Sequence, residues 1–162
     1  MTMILTLIQD GLFAAMASVG FASISNPPHK AYPCCALLAA VGHSLRFWLM
    51  NNAWFQMNII PAGTIAAFII GLLAVKFALW VKCPAETCFA PALLPMIPGM
   101  YAYRAIEALV LCLGHSEELL FNHYLYLLAF NAFTCVFIIL GMVVGVNIPI
   151  FLFKKLSFRA TK

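Results

Sequence analysis

Five runs of roughly 20 predominantly apolar residues, each long enough to cross a bilayer, are separated only by short polar loops in this sequence. They extend from about Met3 to Ile24, Tyr32 to Met50, Ile59 to Trp80, Phe89 to Leu113 and Tyr124 to Phe153. In hydrocarbon every backbone N–H and C=O must find its partner inside the chain, so each run is expected as a helix. Composition agrees: 65% of the 162 residues are hydrophobic and 9% are charged, against roughly 25% charged in a soluble domain. The expected fold is an all-α polytopic membrane protein of about five transmembrane helices, with residues 1–162 forming a single transmembrane domain. The first run has no basic stretch before it and no A-x-A cleavage site, so it is expected to be a retained span and not a signal peptide.

The fourth run cannot be one continuous helix. Pro91, Pro95 and Pro98 each remove a backbone donor, and Gly99 follows the last of them. A break of this kind is tolerated in a membrane where it is buried in protein or lines a wet cavity. Secondary transporters hold substrates at such broken helices, where a restarting half-helix offers amide N–H groups and a positive dipole end to an anion. Transport is therefore the expected function. The chain is short for a complete repeat-built transporter, so an oligomer or a partner chain is expected.

Charge sets an expected orientation. Lys30 lies in the first loop, Lys76 and Lys82 border the third, and Lys154, Lys155, Arg159 and Lys162 form the tail. The second and fourth loops hold no Lys or Arg, and the fourth carries Glu117 and Glu118. With five spans, all seven of these basic residues fall on one side, which the positive-inside rule makes cytoplasmic. The expectation is a multi-pass protein of the bacterial inner membrane with a periplasmic N-terminus and a cytoplasmic C-terminus. The basic excess does not point to nucleic acid, because no soluble domain presents it.

Ionisable groups inside spans are expensive and are functional candidates by default. Here they are Asp10, His43, Arg46, Arg104 and Glu107. At about 1.5 Å per residue, Asp10 entering from one side and His43 and Arg46 from the other reach one depth, with Arg104 near it. His43 and Arg46 share a helix face, as do Arg104 and Glu107. Arg46 offers a carboxylate a bidentate fork, with His43 beside it and Asp10 as a counter-charge or proton carrier. Pro95, Pro98 and Gly99 shape the half-helix opposite, and Asn131 adds a hydrogen-bonding group or interhelical glue. Arg104 and Glu107 are weaker candidates, since Arg104 is placed to snorkel to headgroups or to pair with Glu107.

Small residues mark expected helix contacts: Ala14, Ser18 and Ala22 on the first span, Ala36, Ala40 and Ser44 on the second, and Gly141 and Gly145 on the fifth. The six cysteines contain no C-x-x-C pair, so Cys83 and Cys88 read as buried or loop thiols, with no metal and no cofactor expected. There is no G-x-S-x-G and no H-E-x-x-H, and His43 and Ser44 point apart on a helix, so an enzyme is not expected.

The order Gln9-Asp10, Val19-Gly20-Phe21-Ala22, Asn26, Pro28, Cys35-Ala36-Leu37-Leu38, Gly42-His43-x-x-Arg46, Pro95-Met96-Ile97-Pro98-Gly99, Ala102-Tyr103, Asn131, Phe133-Thr134 and Ile148-Pro149 resembles the bacterial threonine/serine exporter family. It is similar to the short YjjB-type subunits of two-component exporters. That resemblance implies export of succinate together with a larger YjjP-type membrane subunit, or of threonine or serine as in fused relatives. Arg104 and Glu107 depart from the family pattern, which has uncharged residues there. The remaining alternative is a non-conducting assembly subunit whose polar layer only glues it to its partner.

Overall fold

The computed structural model describes residues 2–153. The basic tail Lys154, Lys155, Arg159 and Lys162, which carries part of the expected orientation signal, lies outside the described residues. The described chain is helical: α1 (Thr2–Ser25), α2 (Ala31–Asn51), α3 (Ile59–Val81), α4 (Ala85–Leu93), a 3-10 turn (Leu94–Met96), α5 (Gly99–Gly114) and α6 (Glu118–Leu152). Among the described residues four helices are long and apolar enough to span a membrane, and α4 with α5 makes a fifth if the interrupted pair is one span. The protein is an all-α polytopic membrane protein.

Local chemistry explains the boundaries. α1 stops at Asn26, which takes the left-handed conformation (φ 46°) that Asn tolerates at a helix end, and Pro27 and Pro28 bar any continuation. α3 starts at Asn58, whose side chain accepts from the Ile60 amide, as a helix cap does. Pro33 and Pro61 sit in first turns, where their missing N–H costs nothing. α6 begins earlier than its apolar run, at Glu118, where a carboxylate complements the positive end of the helix dipole.

The fourth run is interrupted as expected. Pro91 lies within α4 and has no N–H for the Thr87 carbonyl one turn back. The Cys35 thiol of α2 donates to that carbonyl instead, at 3.5 Å. The helix then tightens into the 3-10 turn around Pro95, and Pro98 caps the start of α5.

Among the described residues two compact units emerge, 2–96 with 141–153, and 97–140. In the first, α2 is central and packs against α1, α3 and α4. Its contacts are made by small residues, which let backbones approach closely in place of the hydrophobic drive that lipid removes. Ala14, Ser18 and Ala22 are buried, and the Ser18 hydroxyl donates to the Cys35 carbonyl of α2 at 3.1 Å. Ala36, Ala40 and Ser44 are half-buried, and with Gly11 and Ala15 they floor an apolar groove along α1 and α2. Where α3 meets the end of α6, a Cβ on Gly71 would lie 2.5 Å from the Val146 carbonyl oxygen and 2.9 Å from Pro149 Cγ. A Cβ on Gly145 would collide with the Thr64 carbonyl, and one on Gly141 with the Thr64 hydroxyl. The Gly141-x-x-x-Gly145 pair is thus a contact surface.

The second unit pairs α5 with the first part of α6. The Cys112 thiol donates to the Phe121 carbonyl at 3.8 Å, and the His115 and Tyr124 rings lie 5.2 Å apart. Asn131 is buried here. Large apolar side chains such as Phe13, Met16, Phe137 and Leu140 point outward, as a lipid-facing surface requires.

Candidate functional site

Asp10, His43 and Arg46 converge. The sequence sets His43 and Arg46 one turn apart on α2, and the close α1–α2 packing at Gly11 brings Asp10 to them. Arg46 Nη2 donates to His43 Nε2 at 3.0 Å. A guanidinium has no acceptor, so Nε2 carries no proton in this arrangement and the ring proton sits on Nδ1. That Nδ1–H donates to Asp10 Oδ2 at 2.6 Å. One carboxylate, one neutral imidazole and one guanidinium then sum to zero charge, which lowers the cost of holding them within the span.

Arg46 has a second anchor. Its Nη1 donates to the Met96 carbonyl oxygen at 3.0 Å. Met96 ends the 3-10 turn, where the first half of the broken span stops, and the last carbonyls of a helix lack intrahelical partners. A cation is favoured there by the dipole as well. Two of the five guanidinium N–H donors are used in these bonds. Asp10, His43 and Arg46 line a recess of about 260 Å³ together with Phe47, Met50, Asn51 and Ile59. Sequence reasoning missed these neighbours and the Met96 carbonyl. Met50 lies one turn beyond Arg46 and was within reach of the helical period, but a backbone carbonyl leaves no mark in a sequence.

The other expected site residues stand elsewhere. Pro95 lies in the 3-10 turn, Pro98 caps α5, and Gly99 opens it. The half-helix that starts at Gly99 is more closed than expected. The Gly99 amide donates to the Ile97 carbonyl at 2.8 Å and that of Tyr101 to the Pro98 carbonyl at 3.1 Å, so two first-turn amides already have local partners.

Arg104, Glu107 and Asn131 belong to the second unit and line a recess of about 380 Å³ with Tyr124 and Leu127. Arg104 and Glu107, one turn apart, do not come within ion-pair distance; among the described residues the acid–base contact at that range is the hydrogen-bonded pair His43–Asp10. Asn131 donates through Nδ2 to the Leu127 carbonyl of its own helix at 2.7 Å. Among the described residues no group of three or more His, Cys, Asp or Glu side chains could hold a metal ion.

No solved structure matches this chain. The family profile described as "Threonine/Serine exporter, ThrE" matches residues 10–152, from the carboxylate of the triad to the last residue of α6. On a match of that extent, covering nearly every helix just described, the chain belongs to the threonine/serine exporter family.

Proposed function

We propose that the chain is the membrane subunit of a secondary exporter for a small carboxylate, acting with a larger YjjP-type subunit of the same family. The observation that supports this best is Arg46: a guanidinium with donors to spare, set in a recess beside the end of a broken helix. Arginine suits a carboxylate because its planar fork matches the two oxygens. The substrate carboxylate would approach Arg46, with Asp10 balancing the guanidinium through the His43 bridge when the recess is empty.

Carboxylate is common to succinate, threonine and serine, so the recess alone does not rank them. The family description favours threonine or serine; the likeness to the short two-component subunits favours succinate. The deciding experiment loads cells with labelled succinate, threonine and serine. It measures efflux from cells expressing this chain alone, the larger subunit alone, and both. Efflux of one solute with both chains, lost in Arg46→Ala at unchanged membrane abundance, is the expected result. Robust transport by the small chain alone in liposomes would overturn the partner reading. An Arg46→Ala variant that fails to assemble with the larger chain would favour the assembly-subunit reading.

A further inference from the structure

We infer that His43 is a proton-operated latch that decides whether Arg46 is held in place at the end of the broken helix. The inference follows from donor and acceptor bookkeeping. Arg46 Nη2 needs a lone pair on His43 Nε2, and only the neutral ring with its proton on Nδ1 supplies one. When Nε2 takes a proton from water, that lone pair is gone and two N–H donors face each other across 3.0 Å. The imidazolium keeps its Nδ1–H bond to Asp10, now as a full ion pair. Arg46 is then repelled by the neighbouring cation while its own counter-charge is drawn to His43. The bond from Arg46 Nη1 to the Met96 carbonyl loses its support, and the guanidinium is released into the recess. One proton is gained by Nε2, no other covalent bond changes, and the two hydrogen bonds of Arg46 are given up.

His43 is placed to receive that proton. Its side chain is 16% exposed and that of Asp10 29%, and both border the open recess. The charged groups that face the ring are few. α1 carries Asp10 as its one titratable residue, and α2 supplies Arg46. On α3 the sole charge is Lys76, roughly 25 Å along the helix from the recess residue Ile59. On α4, Glu86 lies roughly 15 Å of helix away from Met96. Residues 141–152 of α6 carry no titratable group. Asp10 and Arg46 are therefore the charged groups in contact with the ring.

The latch rests on the exporter reading only for its consequence, which is that proton uptake frees Arg46 to meet a carboxylate. Its physical content is independent of any substrate, and it is tested on the full chain in lipid nanodiscs without transport. The ¹⁵N resonances of the His43 ring, assigned by their absence in His43→Gln, report the tautomer. Near neutral pH the proton is expected on Nδ1, the less common tautomer of free histidine. On acidification a second ring proton should appear. In step with it, hydrogen exchange at the Leu94 and Met96 amides should accelerate about tenfold or more, the effect of losing one hydrogen bond to a charged group. The His43→Gln side chain can accept from Arg46 through its carbonyl but cannot titrate, so exchange there should stay slow and independent of pH after correction for intrinsic rates. A neutral ring protonated on Nε2 would overturn the inference, and that result needs no variant. An acid response in His43→Gln equal to that of the native chain would overturn it too. If transport failed while the tautomer and exchange behaved as stated, the exporter reading would fall and the latch would stand.

Discussion

Arg46 Nη1 and the Met96 carbonyl oxygen stand 3.0 Å apart, joining the last third of an unbroken helix to the end of a broken one. Pro95 and Pro98 deny the chain a continuous ladder of hydrogen bonds, so the Met96 carbonyl needs a donor from outside its own helix. Arginine reaches it from α2 and remains tied, through His43, to Asp10 on α1. A single side chain thus connects three elements at the point where the fourth span gives up helical geometry.

The α3–α6 contact gives a stability test. At Gly145 an added methyl meets the backbone carbonyl of Thr64, which cannot swing aside as a side chain could. Gly145→Val should lower stability by about 1–3 kcal/mol, the usual cost of overpacking. At Gly20 a Cβ meets nothing within 4 Å, so Gly20→Ala should be neutral or slightly stabilising through better helix propensity. Chemical unfolding in detergent micelles, followed by helical circular dichroism, measures both.

Topology can be tested where the broken span leaves two possibilities. If α4 and α5 cross the bilayer together, the loop around Ser116 emerges opposite the loop at Lys82; if they turn back, the two share a side. The crossing arrangement is the expected one, because it leaves the fourth loop free of Lys and Arg on the outer face. In a cysteine-free background, Ala53→Cys and Ser116→Cys should both react with a membrane-impermeant maleimide in cells with a permeabilised outer membrane, and Lys82→Cys should not. Protection of Ser116→Cys would mean a re-entrant pair and a periplasmic C-terminus.

Span positions and the Asp10–His43–Arg46 cluster were legible in the sequence for one reason. Both depend on periods: apolar length fixes where a helix enters and leaves, and 1.5 Å per residue fixes depth. The small-residue surfaces were legible on the same ground. What escaped was backbone chemistry. The Met96 carbonyl as a partner for Arg46, the Thr87 carbonyl taken by Cys35 opposite Pro91, and the local capture of the Gly99 and Tyr101 amides all follow from how a proline break folds back on itself. Arg104 and Glu107 were expected as a pair on spacing alone, but one-turn spacing permits contact without enforcing it, and the recess they line leaves each side chain room to turn away.

Thiol chemistry gives a pH test outside the spans. Cys83 follows the end of α3, buried, with its sulfur 3.7 Å from that of Cys88. Burial pushes the Cys83 thiol up from the ordinary cysteine value. A raised value means less thiolate at any given pH, so alkylation by iodoacetamide should be slow near neutrality. Its rate should keep rising above about pH 8.5, where an unperturbed thiol is already half ionised. An exposed control, Glu86→Cys, should level off earlier. Mass spectrometry of the labelled peptides gives both rates, and coinciding profiles would contradict the burial of Cys83.

Arg46→Lys separates charge from geometry at the site. Lysine keeps the positive charge that balances Asp10, so insertion and membrane abundance should match the native chain. Its ammonium is a compact donor and cannot span both the His43 nitrogen and the Met96 carbonyl as the guanidinium fork does. One charge-assisted hydrogen bond is lost, and export with the larger subunit should fall about tenfold or more. Arg46→Ala removes both anchors and leaves Asp10 facing a histidine alone, so export should be abolished. Asp10→Asn keeps a hydrogen-bond acceptor for Nδ1 but leaves the guanidinium without a counter-charge, and should lower export to an intermediate level. The ranking Asp10→Asn above Arg46→Lys above Arg46→Ala, measured as initial efflux at matched abundance, follows from a site built around the guanidinium. Equal export by all three variants would show that the triad holds helices together and that the substrate passes elsewhere.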